Sequence, residues 1–67
     1  MNVSEYEKLC AAFLKTFASV PDPLRSEIIL AIDGKPYTWE TVFTEVKART
    51  ELSRKMLETL KRLKIIE

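Results

Sequence analysis

Sixty-seven residues make one small domain, near the lower limit at which a hydrophobic core stands unaided. With 46% apolar residues the chain is rich in folding material, while one cysteine, one glycine and no histidine exclude three things: an internal disulfide, the imidazole base or metal ligand of most catalytic sites, and the multi-glycine loops that cradle phosphates. The net charge of +1 covers two regions of opposite sign, three basic residues against five acidic ones over residues 1–33 and seven against two over residues 47–64. Such a division points to an anionic partner at one end, or to attraction between the two ends of the chain.

The first residues, Met1-Asn2-Val3-Ser4-Glu5, lack the basic run and apolar segment of a leader. No apolar run approaches the roughly 20 residues of a membrane span. A single unpaired thiol suits a reducing compartment, so a soluble cytoplasmic protein is expected. The absence of glutamine, a lone asparagine at Asn2 and abundant Glu and Lys fit a thermophilic source.

In chain order, Ser4-x-x-Glu7 has the form of a capping box. Tyr6, Leu9, Cys10, Phe13, Leu14 and Phe17 follow at helical spacing, which predicts a first helix over residues 4–18. Cys10 lies on that apolar stripe and reads as a core thiol rather than a nucleophile. Val20-Pro21-Asp22-Pro23 ends the helix, and Asp22 with Pro23 behind it starts the next. That second helix carries Leu24, Ile28, Ile29 and Ile32, spans residues 24–32 and stops at Asp33-Gly34. Lys35-Pro36-Tyr37 is extended. Thr38 caps a third helix over residues 39–47, whose stripe is Trp39, Val42, Phe43 and Val46. After a break at residues 48–50, Thr50 or Ser53 caps a fourth helix over residues 51–64, bearing Leu52, Met56, Leu57, Leu60 and Leu63. The expected fold is therefore all-α: one domain, residues 1–67, a compact bundle of about four short helices. Ile65 and Ile66 are too apolar for a free tail and are β-branched, so a short bridge to Pro36-Tyr37-Thr38 is expected.

The stretch from Leu24 onward resembles the helix-turn-helix core of winged-helix proteins over about two-thirds of the chain. A helix, a short extended piece, a second helix, a tight turn and a last helix fall at residues 24–32, 35–37, 39–47, 48–50 and 51–64. The closing phrase is Leu57-x-x-Leu60-x-x-Leu63-Lys64-Ile65-Ile66, with Lys64 where the family usually has glycine. The sequence stops at Glu67 with no wing hairpin, so the resemblance implies a wingless helix-turn-helix protein that binds nucleic acid through its last helix. Base edges and phosphates would then meet Ser53, Arg54 and Lys55, with Lys61 and Arg62 further along and Arg49 and Lys47 on the flanking backbone.

The same face has a simpler origin. Glu51 to Lys55 and Glu58 to Arg62 are favourable i, i+4 pairs, and Lys61, Arg62 and Lys64 suit the negative end of a helix. Two glutamates on the contact face weaken the footprint of a nucleic-acid binder. The leading expectation is accordingly a non-enzymatic module that binds a protein partner or a second copy of itself through Tyr37, Trp39, Ile65 and Ile66, with no catalytic residues, metal or cofactor. Nucleic-acid binding is the alternative.

Overall fold

The computed structural model describes residues 2–66, and the first correction is to the fold class. Three helices, α1 (Val3–Ala18), α2 (Trp39–Ala48) and α3 (Glu51–Arg62), pack with a two-stranded antiparallel sheet of β1 (Ile28–Ile32) and β2 (Lys35–Thr38). A single 3-10 turn, Asp22–Leu24, links α1 to β1. The chain is not a four-helix all-α bundle.

Asn2, not Ser4, caps α1. Its side-chain oxygen accepts from the Glu5 amide at 2.8 Å, so the helix starts ahead of the expected box. Glu7 is thereby free to reach out of the helix instead of back to its start. Tyr6, Leu9, Cys10, Phe13 and Phe17 are buried along one side, and Leu14 falls outside that stripe at 38% exposure.

The expected second helix is where sequence and structure part. Residues 28–32 form a strand because Asp33-Gly34 makes a two-residue hairpin turn, with φ 53° and 79°. Positive φ at both central positions gives the twist that antiparallel strands need, and Asp-Gly is a favoured pair for it. Ile32 pairs with Lys35, Ala31 with Pro36 and Leu30 with Tyr37, and a bulge at Ile29 then brings Ile28 opposite Thr38. Pro36 is tolerated because β2 is an edge strand. Beyond the sheet, the Trp39 and Glu40 amides donate to the Glu27 and Arg25 carbonyls at 3.3 and 3.1 Å. The Thr38 hydroxyl accepts from the Thr41 amide at 3.1 Å, so three of the free amides that begin α2 are satisfied.

The turn between α2 and α3 is two residues long. Arg49 sits at φ 54°, its amide donating to the Val46 carbonyl at 3.2 Å, while the Thr50 amide donates to the Glu45 carbonyl at 3.3 Å. This is the paired closure of a Schellman ending, with arginine where glycine is usual. Thr50 at once becomes the cap of α3: its hydroxyl accepts from the Ser53 amide at 3.1 Å and donates to the Glu45 carboxylate at 2.6 Å. α3 ends in the same way, with Lys64 at φ 61° and the Ile65 amide donating to the Leu60 carbonyl at 2.9 Å.

That ending overturns the expected bridge between Ile65-Ile66 and Pro36-Tyr37-Thr38. The latter segment is already paired with β1, and Lys64 folds the tail back onto α3, where Ile66 is buried. Phe13, Val42, Met56, Leu57 and Leu60 are the deepest apolar residues of the core. A run of stacked rings extends it from Trp39 through Phe13 and Phe17 to Phe43, with the last pair at 4.4 Å between centroids. The buried face of α3 is rotated from expectation. Ser53 lies inside and Leu63, just past the helix end, is 56% exposed. Among the described residues no helix is long and apolar enough to cross a membrane.

Candidate interaction surface

The basic segment of the chain folds against the acidic one. Arg49 makes a two-pronged contact with the Glu7 carboxylate, its second nitrogen at 3.1 Å, and Lys61 Nζ lies 3.0 Å from Glu5 Oε2. Both pairs link α1 to the turn and helix that follow α2. The hydrogen bond from Lys61, and then its charge, hold the Glu5 carboxyl below the usual range, and Arg49 does the same for Glu7. Glu7 in return pushes the Arg49 guanidinium up. About half of each side chain faces water, so these contacts orient the helices more than they stabilise them.

Tyr6 organises the same seam from within. Its hydroxyl lies 2.7 Å from Ser53 Oγ, which in turn donates to the Thr50 carbonyl at 2.6 Å. Burial pushes the phenol's pKa up, with the neighbouring Cys10 thiol adding to the effect and the Ser53 hydroxyl opposing it. The Arg54 guanidinium lies 4.9 Å from the centre of the Tyr6 ring, and Arg49 approaches the same ring at 5.8 Å.

The seven residues expected to meet nucleic acid are therefore used unequally, and Lys47 stands exposed at the end of α2, 5.8 Å from the Phe43 ring centre. Ser53 is fully buried and points at Tyr6, away from any external base edge. Arg49 and Lys61 are ion-paired with α1, and Arg54 is half-buried against Tyr6. Lys55 and Arg62 stand exposed on α3, where Glu51 and Glu58 are exposed too. The ion pairs expected between them are not closed, and Arg62 reaches the Thr59 hydroxyl instead, at 3.5 Å. Of the four residues expected at a protein interface, Tyr37, Trp39 and Ile65 are half-buried against the core and Ile66 is wholly inside it.

No family model, curated protein or solved structure matches this chain.

Sequence reasoning assigns to a core stripe two large apolar residues that the fold leaves exposed. Leu24 is 47% and Ile28 63% exposed, at the two ends of the segment leading from the 3-10 turn into β1. Their helical spacing assigned them to a core face, and the Asp33-Gly34 turn signal was the clue that they belong to a hairpin instead. Two grooves flank α1. One, of about 520 Å³, has both charges on its walls, from Glu5, Glu58, Lys61 and Arg62. The other, of about 550 Å³, lies between the second half of α1 and the tail, with Lys15 and Lys64 beside Ala12, Ile65 and Ile66.

Proposed function

We propose that this protein is a small non-enzymatic interaction module that binds a protein partner or a second copy of itself. The observation that carries the reading is the internal use of the cations. Arg49, Arg54 and Lys61 serve the seam between α1 and α3, and the charges left on α3, Lys55 and Arg62, are offset by Glu51 and Glu58. A surface of mixed sign gives little net phosphate neutralisation, and phosphate contacts dominate nucleic-acid affinity. Exposed Leu24 and Ile28, in a chain whose apolar side chains are needed for the core, favour contact with another protein.

Sedimentation velocity over a wide concentration range, with a parallel pull-down from lysate followed by partner identification, tests the reading. Concentration-dependent association, or a partner whose capture is lost in an Ile28→Lys variant, is the expected result. A strict monomer that captures nothing dependent on Ile28 overturns it.

A helix-turn-helix protein that binds nucleic acid is the second reading, favoured by two observations. The two-residue turn of Arg49 and Thr50 joins α2 to α3 tightly, and Lys64 adopts positive φ where the resembling family has glycine. Fluorescence anisotropy with random-sequence DNA and RNA at two salt concentrations separates the readings. Contacts from Arg54, Lys55, Lys61 and Arg62 would give a slope of log K against log salt of about −3.6 on duplex DNA. Absence of binding at low salt removes this second reading.

A further inference from the structure

The groove between α1 and the tail has a chemistry that narrows what fills it. Ala12, Ile65 and Ile66 supply apolar wall, Lys15 and Lys64 supply cations, and among the described residues no carboxylate lines it. Neither lysine is ion-paired among the described residues. A well-matched occupant brings apolar atoms together with a carboxylate.

This chain displays such a combination itself. The exposed large apolar residues are Val3, Leu14, Leu24, Ile28 and Leu63. Leu14 adjoins Lys15, and Leu63 lies between Arg62 and Lys64; Val3 lies near Glu5, which is held by Lys61. Ile28 alone directly follows an acidic residue, Glu27, and that carboxylate has no ion-pair partner among the described residues.

The exposed segment that carries Leu24, Glu27 and Ile28 (the ridge) is also held in shape before any contact is made. Pro21 and Pro23 restrict its backbone, and Arg25 ties it down with a hydrogen bond to the Val20 carbonyl at 3.1 Å, an ion pair with Asp22 at 3.0 Å and its guanidinium 4.4 Å from the Phe17 ring centre. The Glu27 carbonyl is fixed by the Trp39 amide. A ridge that is already ordered loses little conformational entropy on docking. Ser19, on the groove, precedes Leu24 by only a few residues, so acidic ridge and basic groove adjoin along the chain. A patch with both halves is complementary to its own copy about a two-fold axis. At a net charge of +1, two copies repel each other little.

We propose that the protein forms a symmetric homodimer in which Leu24 and Ile28 of each copy enter the lysine-rimmed groove of the other, with Glu27 facing Lys15 and Lys64. This rests on the interaction reading above and narrows it to one partner and one surface.

Reciprocal charge reversal, followed by sedimentation equilibrium, tests it. One variant carries Glu27→Lys on the ridge. The other carries Lys15→Glu with Lys64→Glu on the groove. All three positions are exposed, and circular dichroism and thermal melts verify that each variant folds. Each variant alone sets like charges against each other at both contacts, so its dimer Kd should rise at least tenfold. Mixing the two sets opposite charges at one contact and restores the native pairing at the other, so the mixture should dimerise within about threefold of the wild type. A wild-type protein that stays monomeric at the highest concentrations overturns the homodimer, and leaves the interaction reading to its hetero-partner arm. Wild-type association that survives both reversals, or a mixture that recovers nothing, overturns this interface while leaving self-association standing.

Discussion

Lys64 holds φ at 61° to close α3, a conformation that costs a residue with a Cβ roughly 1–2 kcal/mol relative to its right-handed alternatives. Among the described residues its side chain makes no hydrogen bond or ion pair, so Lys64→Gly removes the strain and leaves the ending intact. The expected gain is about 0.5–1 kcal/mol, read as a melting temperature higher by about 4 °C. The same change at Arg49 is a control with a smaller gain, because relief of strain there is offset by losing Glu7 and the Tyr6 ring. Tyr6 supplies a second measurement. Tyr6→Phe removes the hydrogen bond to Ser53 but leaves Ser53 bonded to the Thr50 carbonyl, so no polar atom is stranded and the cost should be about 1 kcal/mol in chemical denaturation. The pH response has a definite direction. Burial raises the phenol's pKa in the fold, so the neutral form is favoured there, its stabilisation is complete below the unfolded value of about 10, and it is lost as pH rises through the folded value. Melts of the wild type above pH 10 should therefore fall faster than those of Tyr6→Phe.

At the scale of elements, the hairpin depends on two consecutive residues at positive φ. Nothing lies within 4 Å of a Cβ built on Gly34, so the obstacle to Gly34→Val is conformational rather than steric, and a β-branched residue resists this region strongly. The variant should lose about 1–2 kcal/mol. Hydrogen exchange should show the ladder amides of β1 and β2 losing protection before the core amides of α3. Uniform loss would show that sheet and helices open as one unit. The hairpin also shows where the sequence is hard to read. Leu24, Ile28, Ile29 and Ile32 satisfy the i, i+4 spacing of a helix, yet three are β-branched and Asp33-Gly34 follows, so two periodicities compete over a short window and the turn decides between them. Where a cap agrees with the spacing, the element follows: Thr38 accepts from the Thr41 amide before α2, and of the two caps considered for α3 it is Thr50 that accepts, from the Ser53 amide. At α1 two capping side chains stood near each other, and Asn2 took the Glu5 amide. The seam residues lay beyond this kind of reasoning. Glu7 with Arg49 and Glu5 with Lys61 are distant in sequence, and only the packing of α1 against α3 brings them together. Ser53 was misplaced because a hydroxyl at helical spacing gives no sign that a tyrosine waits opposite it.

For the molecule as a whole, the asymmetry of charge along the chain becomes an internal complementarity. The first helix carries Glu5 and Glu7 to the basic residues of the C-terminal half, and these charges pair across a seam that also buries Tyr6, Leu9 and Cys10. Acid should loosen that seam first. Both carboxyls have pKa values lowered in the fold, so the folded state holds fewer protons than the unfolded chain, stability increases with pH through this range, and the contribution is present above the unfolded carboxylate value of about 4.3. It is lost as pH falls below that value and through the lower folded ones. A variant with Glu5→Gln and Glu7→Gln has no such contribution to lose. Its denaturation midpoint should sit slightly below the wild type at pH 7, and the two should converge as pH falls below about 4. Salt separates this from a general effect of positive charge: the difference at pH 7 should shrink between low and high ionic strength, because the pairs are half-exposed and screened. Thiol accessibility follows the same seam, since Cys10 lies beneath it on α1. A thiol reagent should label the unfolded chain freely and the native protein slowly at pH 7, with faster native labelling in the double glutamine variant. Equal rates in the native proteins would show that the ion pairs do not hold α1 in place, and that the apolar contacts of Leu9, Phe13 and Phe17 suffice alone.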